Sequence, residues 1–227
     1  MKISVCIPVY EQKGLGLKHL KHSLDILTKQ TFKDFEVVVA DNSTYFYSSQ
    51  MEALCKQYPF VKYYKNINLG LVINTNFAIK HAKGELIKIL FQDDFLYHEN
   101  ALQDIVDAWK GGWLVTACEH TQDGVSMIRP FYPKYNDKIY LGNNTISSPS
   151  VLTIKNDNPL LFDENLEMLM DVCYYKDCYD KFGEPTILNT INVVNRVGDH
   201  QVSMNVTPAQ MNSELEYVTK KYVSRTM

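Results

Sequence analysis

Four apolar runs, each about the length of one β-strand, alternate with helical patterns in the first hundred residues. The four runs cover residues 3–9, 35–40, 61–65 and a segment that begins at Leu86. The first is continuously apolar, which is typical of a strand that is buried on both faces of a sheet, and the second is predicted to be buried as well. The helical patterns between them cover residues 17–27, 51–58 and 72–82. This β-α-β-α-β-α-β order predicts an α/β protein with a doubly wound, mostly parallel, Rossmann-like sheet.

The second half of the chain predicts a smaller, loop-rich part of the same domain. Short β patterns occur at residues 114–118, 151–154 and 187–194. Residues 123–144 are rich in Pro, Tyr, Asn and Gly, which indicates extended loops. A helical pattern over residues 169–182 ends at Gly183, and a polar helical pattern follows Pro208. At 227 residues we expect one domain, with a first half (1–112), a second half (113–206) and a C-terminal helix (207–227).

The composition argues against several classes of protein. A net charge of −3 and the lack of a Lys/Arg run argue against nucleic-acid binding. The five cysteines are odd in number and lack C-x-x-C spacing, which predicts free thiols in a reducing cytoplasm. The first apolar run is too short for a signal peptide, and no run approaches the ~20 apolar residues of a membrane span. We therefore expect a cytoplasmic protein, and any association with a membrane would be peripheral.

Acidic and amide side chains follow all four apolar runs, at the point where each run ends. They include Glu11, Asp41, Asn68 and the adjacent pair Asp93-Asp94. Because the carboxyl ends of parallel strands meet at one edge of a sheet, this placement predicts a ligand cleft there. The adjacent carboxylates could hold a divalent cation, or could simply cap the next helix. The chain has neither G-x-G-x-x-G nor G-x-x-x-x-G-K-[ST], which argues against a dinucleotide-binding domain and a P-loop enzyme.

A series of short motifs in the first half also has a characteristic order and spacing. The motifs are residues 3–10, residues 30–43, Asn68-Leu69-Gly70 with Asn76, residues 84–87, and Gln92-Asp93-Asp94. Together they resemble the start of family 2 glycosyltransferases, which have the GT-A fold. The resemblance is close over residues 1–110 and looser over residues 162–185.

The resemblance implies that a nucleoside-diphosphate sugar, with a UDP-sugar favoured, binds at the carboxyl edge of the sheet. Pro8, Tyr10 and Glu11 would border the base, and Asp41 would hydrogen-bond the base or the ribose. Glu11 stands where the family commonly has Asn. The remaining residues implied for the donor-nucleotide site are Asn68, Gly70, Asn76, Gln92, Asp93 and Arg196.

The resemblance also implies a metal site for Mn²⁺ or Mg²⁺ on the donor diphosphate. Asp93 and Asp94 stand at the D-x-D position of the family, and His200 is a candidate third ligand. The cation would stabilise the charge that develops on the departing nucleoside diphosphate. Phe91 and Gln92 stand where the family often has an earlier Asp, so either carboxylate could be the one that meets the metal. An ordinary surface histidine is the alternative for His200.

A general base at Asp171 is implied by the same resemblance. Family members carry a Glu-Asp pair at the start of a helix, after a stretch similar to residues 162–164, and Met170 replaces the Glu here. Without the resemblance, the pattern favours a charge that stabilises the helix dipole at its N-terminus. Residues 144–150 resemble an acceptor-side segment of the family, although a plain polar turn explains them equally well.

The sequence thus predicts a metal-dependent, inverting, hexosyltransferase-like enzyme. It would move a sugar from a nucleoside-diphosphate sugar to a glycan or other hydroxyl acceptor, as in polysaccharide biosynthesis. Two alternatives stay open, namely a nucleotidyltransferase and a nucleotide-sugar-binding protein with weak or lost turnover. A processive membrane-embedded synthase is disfavoured, because the chain has no Q-x-x-R-W motif.

Overall fold

The computed structural model describes residues 1–198 and 206–223, which contain eight strands and six α-helices. The strands are β1 (Ile3–Val9), β2 (Phe35–Asp41), β3 (Val61–Lys65), β4 (Leu86–Ile89), β5 (Phe95–Leu96), β6 (Trp113–Thr121), β7 (Leu152–Lys155) and β8 (Thr186–Arg196). The helices are α1 (Gly16–Lys29), α2 (Tyr45–Cys55), α3 (Leu71–His81), α4 (Ala101–Ala108), α5 (Met170–Phe182) and α6 (Pro208–Val223).

All eight strands form one sheet in the order β3-β2-β1-β4-β7-β6-β8-β5. Strands β1 to β4 are parallel to one another, so their carboxyl ends share one edge, as predicted. Val9 pairs with Asp41 in that register. Strand β7 runs antiparallel to both β4 and β6, and β5 runs antiparallel to β8. The α/β class is confirmed, and the sheet is mixed because the second half joins it through antiparallel pairs.

The core lies on both faces of the parallel half of the sheet. Strand β1 is buried at every one of its seven positions, which explains its continuously apolar sequence. Helix α1 buries Leu20, Leu24 and Leu27 at helical spacing, and α3 packs against β1 and β2. All five cysteines lie in the described part of the chain and are buried free thiols, as predicted.

Several elements differ from their predicted bounds. Strand β4 ends at Ile89, so residues 90–94 form a turn, with β5 directly after it, instead of the end of a long strand. Helix α2 begins at Tyr45, six residues before the predicted start. The prediction missed the first turn because its exposed residues have no amphipathic pattern. None of the helices seen in residues 1–198 and 206–223 has the length and hydropathy to cross a membrane.

Candidate active site

A cavity of about 250 Å³ lies at the carboxyl ends of β1 and β4. It collects residues from both halves of the chain, including the 90–94 turn, the end of β8 and the start of α5. The predicted site residues that line it are Pro8, Tyr10, Gln92, Asp93, Asp94, Asp171 and Arg196. The implied metal-binding carboxylates and the implied base therefore face the same space.

The two adjacent carboxylates have different environments. Both line the cavity, but Asp93 is half-buried, whereas Asp94 is buried. Asp94 accepts the N–H of Arg196 at 2.8 Å and the hydroxyl of Ser148 at 3.3 Å. Burial, and then the negative charge of Asp93, raises the pKa of Asp94 well above its usual range. Asp94 is thus built into the frame of the site, and Asp93 is the carboxylate nearer the ligand space.

Gln92 uses both ends of its side-chain amide inside the protein. Its Nε2 donates to the carbonyl of Gly16 at 2.7 Å, and its Oε1 accepts the N–H of Tyr10 at 3.0 Å. A Cβ added at Gly16 would collide with the carbonyl oxygen of Tyr10, so this close approach requires glycine. Gln92 therefore ties the turn that carries Asp93 to the loop after β1.

Five of the predicted donor-site residues do not line the cavity: Glu11, Asp41, Asn68, Gly70 and Asn76. Asp41 is fully buried and accepts the N–H of Ser43 at 2.8 Å and the hydroxyls of Ser48 and Tyr63 at 2.6 and 2.7 Å. Glu11 accepts the N–H of Thr44 at 3.2 Å. The Glu11 contact joins the loop after β1 to the loop after β2, and the Asp41 contacts join the end of β2 to α2 and β3.

Asn76 lies in the middle of α3, where it holds a distant loop. Its Nδ2 donates to the carbonyl of Phe162 at 2.9 Å and to the carboxylate of Glu164 at 3.0 Å, and its Oδ1 accepts the N–H of Phe162 at 2.8 Å. Asn68 and Gly70 lie in the exposed turn before α3, and Gly70 has a φ of 118°. These three residues lie in α3 and in the turn before it, and none of them lines the cavity.

Arg196 and Asp171 reach the cavity from β8 and α5. The buried Arg196 donates through Nε to the backbone carbonyl of Asp93 at 3.2 Å, and its guanidinium lies over the ring of Phe95. Asp171 lies in the first turn of α5 and accepts the Nδ2 of Asn144 at 2.6 Å. Burial raises the pKa of Asp171 to about 6, although the hydrogen bonds that it accepts oppose the increase.

Residues 144–150 connect the side of the cavity that carries Asp94 to the side that carries Asp171, a role that the sequence did not reveal. Asn144 contacts Asp171, Ser148 contacts Asp94, and the hydroxyl of Ser150 accepts the N–H of Phe91 at 2.8 Å. The segment is a tight turn, because the Oδ1 of Asn144 accepts the N–H groups of residues 146 and 147. Its Asn, Ser and Pro content indicated a turn, but not which side chains it would contact.

Lys88 was also not singled out by its sequence, because it lies inside an apolar run. It is fully buried on β4 and donates to the backbone carbonyl of Ser150. Burial lowers the pKa of Lys88 to about 7, and the charge of Asp94 opposes this decrease. Lys88 thereby anchors the 144–150 segment to the strand that precedes the carboxylate pair.

The carboxylate oxygens of Asp93 and Asp94 fit a hard divalent cation that a substrate also helps to bind. In residues 1–198 and 206–223, no group of three or more His, Cys, Asp or Glu side chains could hold a metal ion. Mg²⁺ is commonly bound by one or two carboxylates together with substrate phosphates and water, which matches the Asp93-Asp94 pair. His200, the predicted third ligand, lies outside the described residues.

Comparison with known proteins identifies the family. The model of glycosyl transferase family 2 matches residues 4–158, which is more than half of the chain. This chain belongs to glycosyl transferase family 2. The match spans the parallel half of the sheet, the carboxylate pair and the 144–150 segment, and stops before α5.

Curated family relatives are longer than this chain. An uncharacterized glycosyltransferase of Rickettsia conorii is 35% identical over 98 residues, which are 43% of this chain and 16% of that protein. The poly(ribitol-phosphate) beta-N-acetylglucosaminyltransferase TarS of Staphylococcus aureus is 25% identical over 232 residues, covering 92% of this chain and 38% of TarS. The chain thus spans about a sixth to two fifths of these relatives.

Solved structures establish the GT-A fold. S. aureus TarS 1-349 in complex with UDP-GlcNAc superposes with a TM-score of 0.73 at 21% identity, over 96% of this chain and 65% of that one. A mannosyltransferase from Pyrobaculum calidifontis, in complex with GDP-Man and Mn²⁺, has a TM-score of 0.62 at 14% identity, over 96% and 69%. The predicted fold and family are both confirmed.

Proposed function

We propose that this protein transfers a sugar from a nucleoside-diphosphate sugar to a hydroxyl acceptor on a glycan, with inversion at the anomeric carbon. The observation that carries the proposal is one cavity lined by both Asp93 and Asp171. The family, and the UDP-GlcNAc and GDP-Man complexes of two proteins of the same fold, support the donor class. A UDP-sugar and a hexose are favoured. Five buried free thiols support work in a reducing compartment such as the cytoplasm.

Asp93 is the residue that would hold Mn²⁺ or Mg²⁺ on the donor diphosphate, with Asp94 behind it. When bound, the cation would supply Lewis-acid stabilisation of the departing phosphate. Arg196 places a guanidinium beside the backbone of Asp93, and we assign it to the diphosphate as well. Pro8 and Tyr10 line the cavity at the end of β1, where we expect the nucleoside. Glu11, Asn68 and Gly70 lie in the neighbouring loops and would border it, and the buried Asp41 would support those loops from within.

Asp171 would remove the proton from the acceptor hydroxyl as that oxygen attacks the sugar. An inverting displacement needs a base on the face of the sugar opposite the leaving group. Asp171 comes from α5 and Asp93 from the turn after β4, so the two carboxylates belong to different walls of the cavity. The hydrogen bond from Asn144 orients the Asp171 carboxylate and favours its charged form.

Calorimetric titration of UDP and of GDP, each with and without Mn²⁺, tests the donor site. We expect one nucleotide to bind in a manganese-dependent manner. Failure of UDP, GDP, dTDP and CMP to bind with metal present would contradict the proposal. Release of nucleoside diphosphate with an acceptor would distinguish a transferase from a nucleotide-sugar-binding protein. Release of pyrophosphate from a nucleoside triphosphate would indicate a nucleotidyltransferase instead.

Removing the Asn144 side chain should shift the acid limb of the profile of kcat/KM against pH to higher pH. Transfer requires the charged form of Asp171, so kcat/KM for the acceptor should fall as the pH decreases through about 6. Asn144→Ala removes a hydrogen bond that favours that form, so the limb should move to higher pH. Ser126→Ala, in the exposed turn after β6, is the control. An acid limb that stays in place in Asn144→Ala would contradict this role.

A further inference from the structure

The C-terminal helix α6 reaches back to the loop that precedes α5. The carboxylate of Glu214 accepts the N–H groups of three consecutive residues: Glu167 at 2.9 Å, Met168 at 3.0 and 3.2 Å, and Leu169 at 2.8 Å. Both oxygens take part, and the sequence separation is 45 to 47 residues. We name this set of contacts the Glu214 clamp.

The clamp holds the chain where it enters α5. Helix α5 begins at Met170, and the N-cap residue Leu169 has no side-chain acceptor of its own. The clamped N–H groups are those of Leu169 and the two residues before it, so Glu214 fixes the approach to the helix, whereas the N–H of Val172 in the first turn is accepted by the Asp171 carboxylate at 2.7 Å. A negative charge at this end of α5 is also favoured by the helix dipole.

The clamped residues lie at the candidate active site. Glu167 and Met168 line the cavity, and Asp171 follows two residues after the last clamped N–H. The other end of the same loop is held by Asn76 of α3, through Phe162 and Glu164. Between these two anchors, the loop has no regular secondary structure of its own. The loop that carries this part of the cavity wall is therefore anchored at both ends.

We propose that Glu214 is a positioning residue that holds the Glu167–Met168 wall and the start of α5 in the geometry needed for transfer to the acceptor. The inference rests on the proposed function of the site. Glu214 holds the backbone of residues 167–169, and its negative charge is a minor cause of the raised pKa of Asp171. Among the described residues it has no hydrogen bond to the carboxylate pair or to the ends of β1 and β4. Its loss should therefore affect the acceptor step and spare binding of the donor nucleotide.

The experiment compares Glu214→Gln and Glu214→Asp with a matched control in α6. Glutamine keeps the size of the side chain but directs an NH₂ group at N–H donors, so only a carboxylate preserves the clamp. The control is Tyr222→Phe, which removes another bond between α6 and α5, from the hydroxyl to the carbonyl of Cys173 at 2.9 Å. That bond lies away from residues 167–169.

In Glu214→Gln we expect kcat/KM for the acceptor to fall by about 10- to 100-fold, because small displacements of positioning groups have effects of this size. The Kd of the nucleotide with Mn²⁺ should stay within about twofold of the wild-type value. Glu214→Asp should recover part of the activity, and Tyr222→Phe should resemble the wild type. Faster amide hydrogen exchange at residues 167–169 in Glu214→Gln would report the opened clamp directly.

Three outcomes would overturn the inference. Unchanged acceptor kinetics in Glu214→Gln would remove the positioning role, and an equal loss of donor binding would indicate general unfolding. A loss in Tyr222→Phe as large as in Glu214→Gln would assign the effect to the docking of α6 as a whole. Absence of transfer in the wild-type protein would instead contradict the proposed function, and is distinguishable because it needs no variant.

Discussion

Replacing Asp171 with asparagine is expected to slow sugar transfer by about 10²- to 10⁴-fold, the usual contribution of a general base. Asparagine cannot accept the proton of the acceptor hydroxyl at any working pH. Its single side-chain oxygen can still accept one of the two hydrogen bonds that the carboxylate accepts, from the Nδ2 of Asn144 or from the N–H of Val172. The loss should therefore appear in kcat, with little change in the binding of the donor nucleotide.

The measurement combines the rate of nucleoside diphosphate release with calorimetric titration of the same nucleotide. Asp177→Asn is a suitable control, because Asp177 lies on the same helix and pairs with Lys221 of α6, away from the cavity. Unchanged turnover in Asp171→Asn would exclude it as the base. In the wild-type protein, the rate should also fall with decreasing pH below about 6, where the Asp171 carboxyl becomes protonated.

The architecture of the first half follows from local patterns. Continuous apolar runs in β1 and β2 can be satisfied only by burial on both faces, and alternation with helices makes the strands parallel. Parallel strands place their carboxyl ends together, so the sequence alone predicted the edge at which the cavity lies. The antiparallel insertion of β7 between β4 and β6 is non-local, and its four-residue pattern carries no direction.

The hydrogen-bond partners of individual polar side chains were much harder to predict. Asp41, Asn76 and Gln92 all occur where a ligand contact was expected, yet each hydrogen-bonds buried groups of the protein. Burying an unpaired polar group costs free energy, so buried loops need polar side chains as hydrogen-bond partners. The same residue types therefore occur in loop contacts and in ligand contacts. The choice between them depends on which backbone groups arrive from distant segments, such as the N–H of Phe162 at Asn76.

The sequence also could not show which carboxylate of the Asp93-Asp94 pair faces a ligand. The sequence offered Asp93 and Asp94 as equivalent metal ligands. In the fold both line the cavity, but Asp94 is buried and accepts the N–H of Arg196 and the hydroxyl of Ser148, whereas Asp93 is only half-buried. Adjacent residues on a turn point in different directions, so one of the pair can serve the frame and the other the ligand.

Asp93→Asn is therefore expected to weaken manganese-dependent nucleotide binding by about 100-fold or more, since even indirect partners of a metal commonly contribute 10- to 100-fold. Asp94→Asn is the matched comparison. The remaining oxygen of the substituted side chain can still accept the N–H of Arg196, so nucleotide binding with Mn²⁺ should weaken by about 10-fold or less. The free energy of unfolding should decrease more in Asp94→Asn than in Asp93→Asn. Calorimetry with and without Mn²⁺, together with urea unfolding, separates the two effects. A greater loss of metal-dependent binding in Asp94→Asn than in Asp93→Asn would reverse the assignment, because it would make the buried carboxylate the metal ligand.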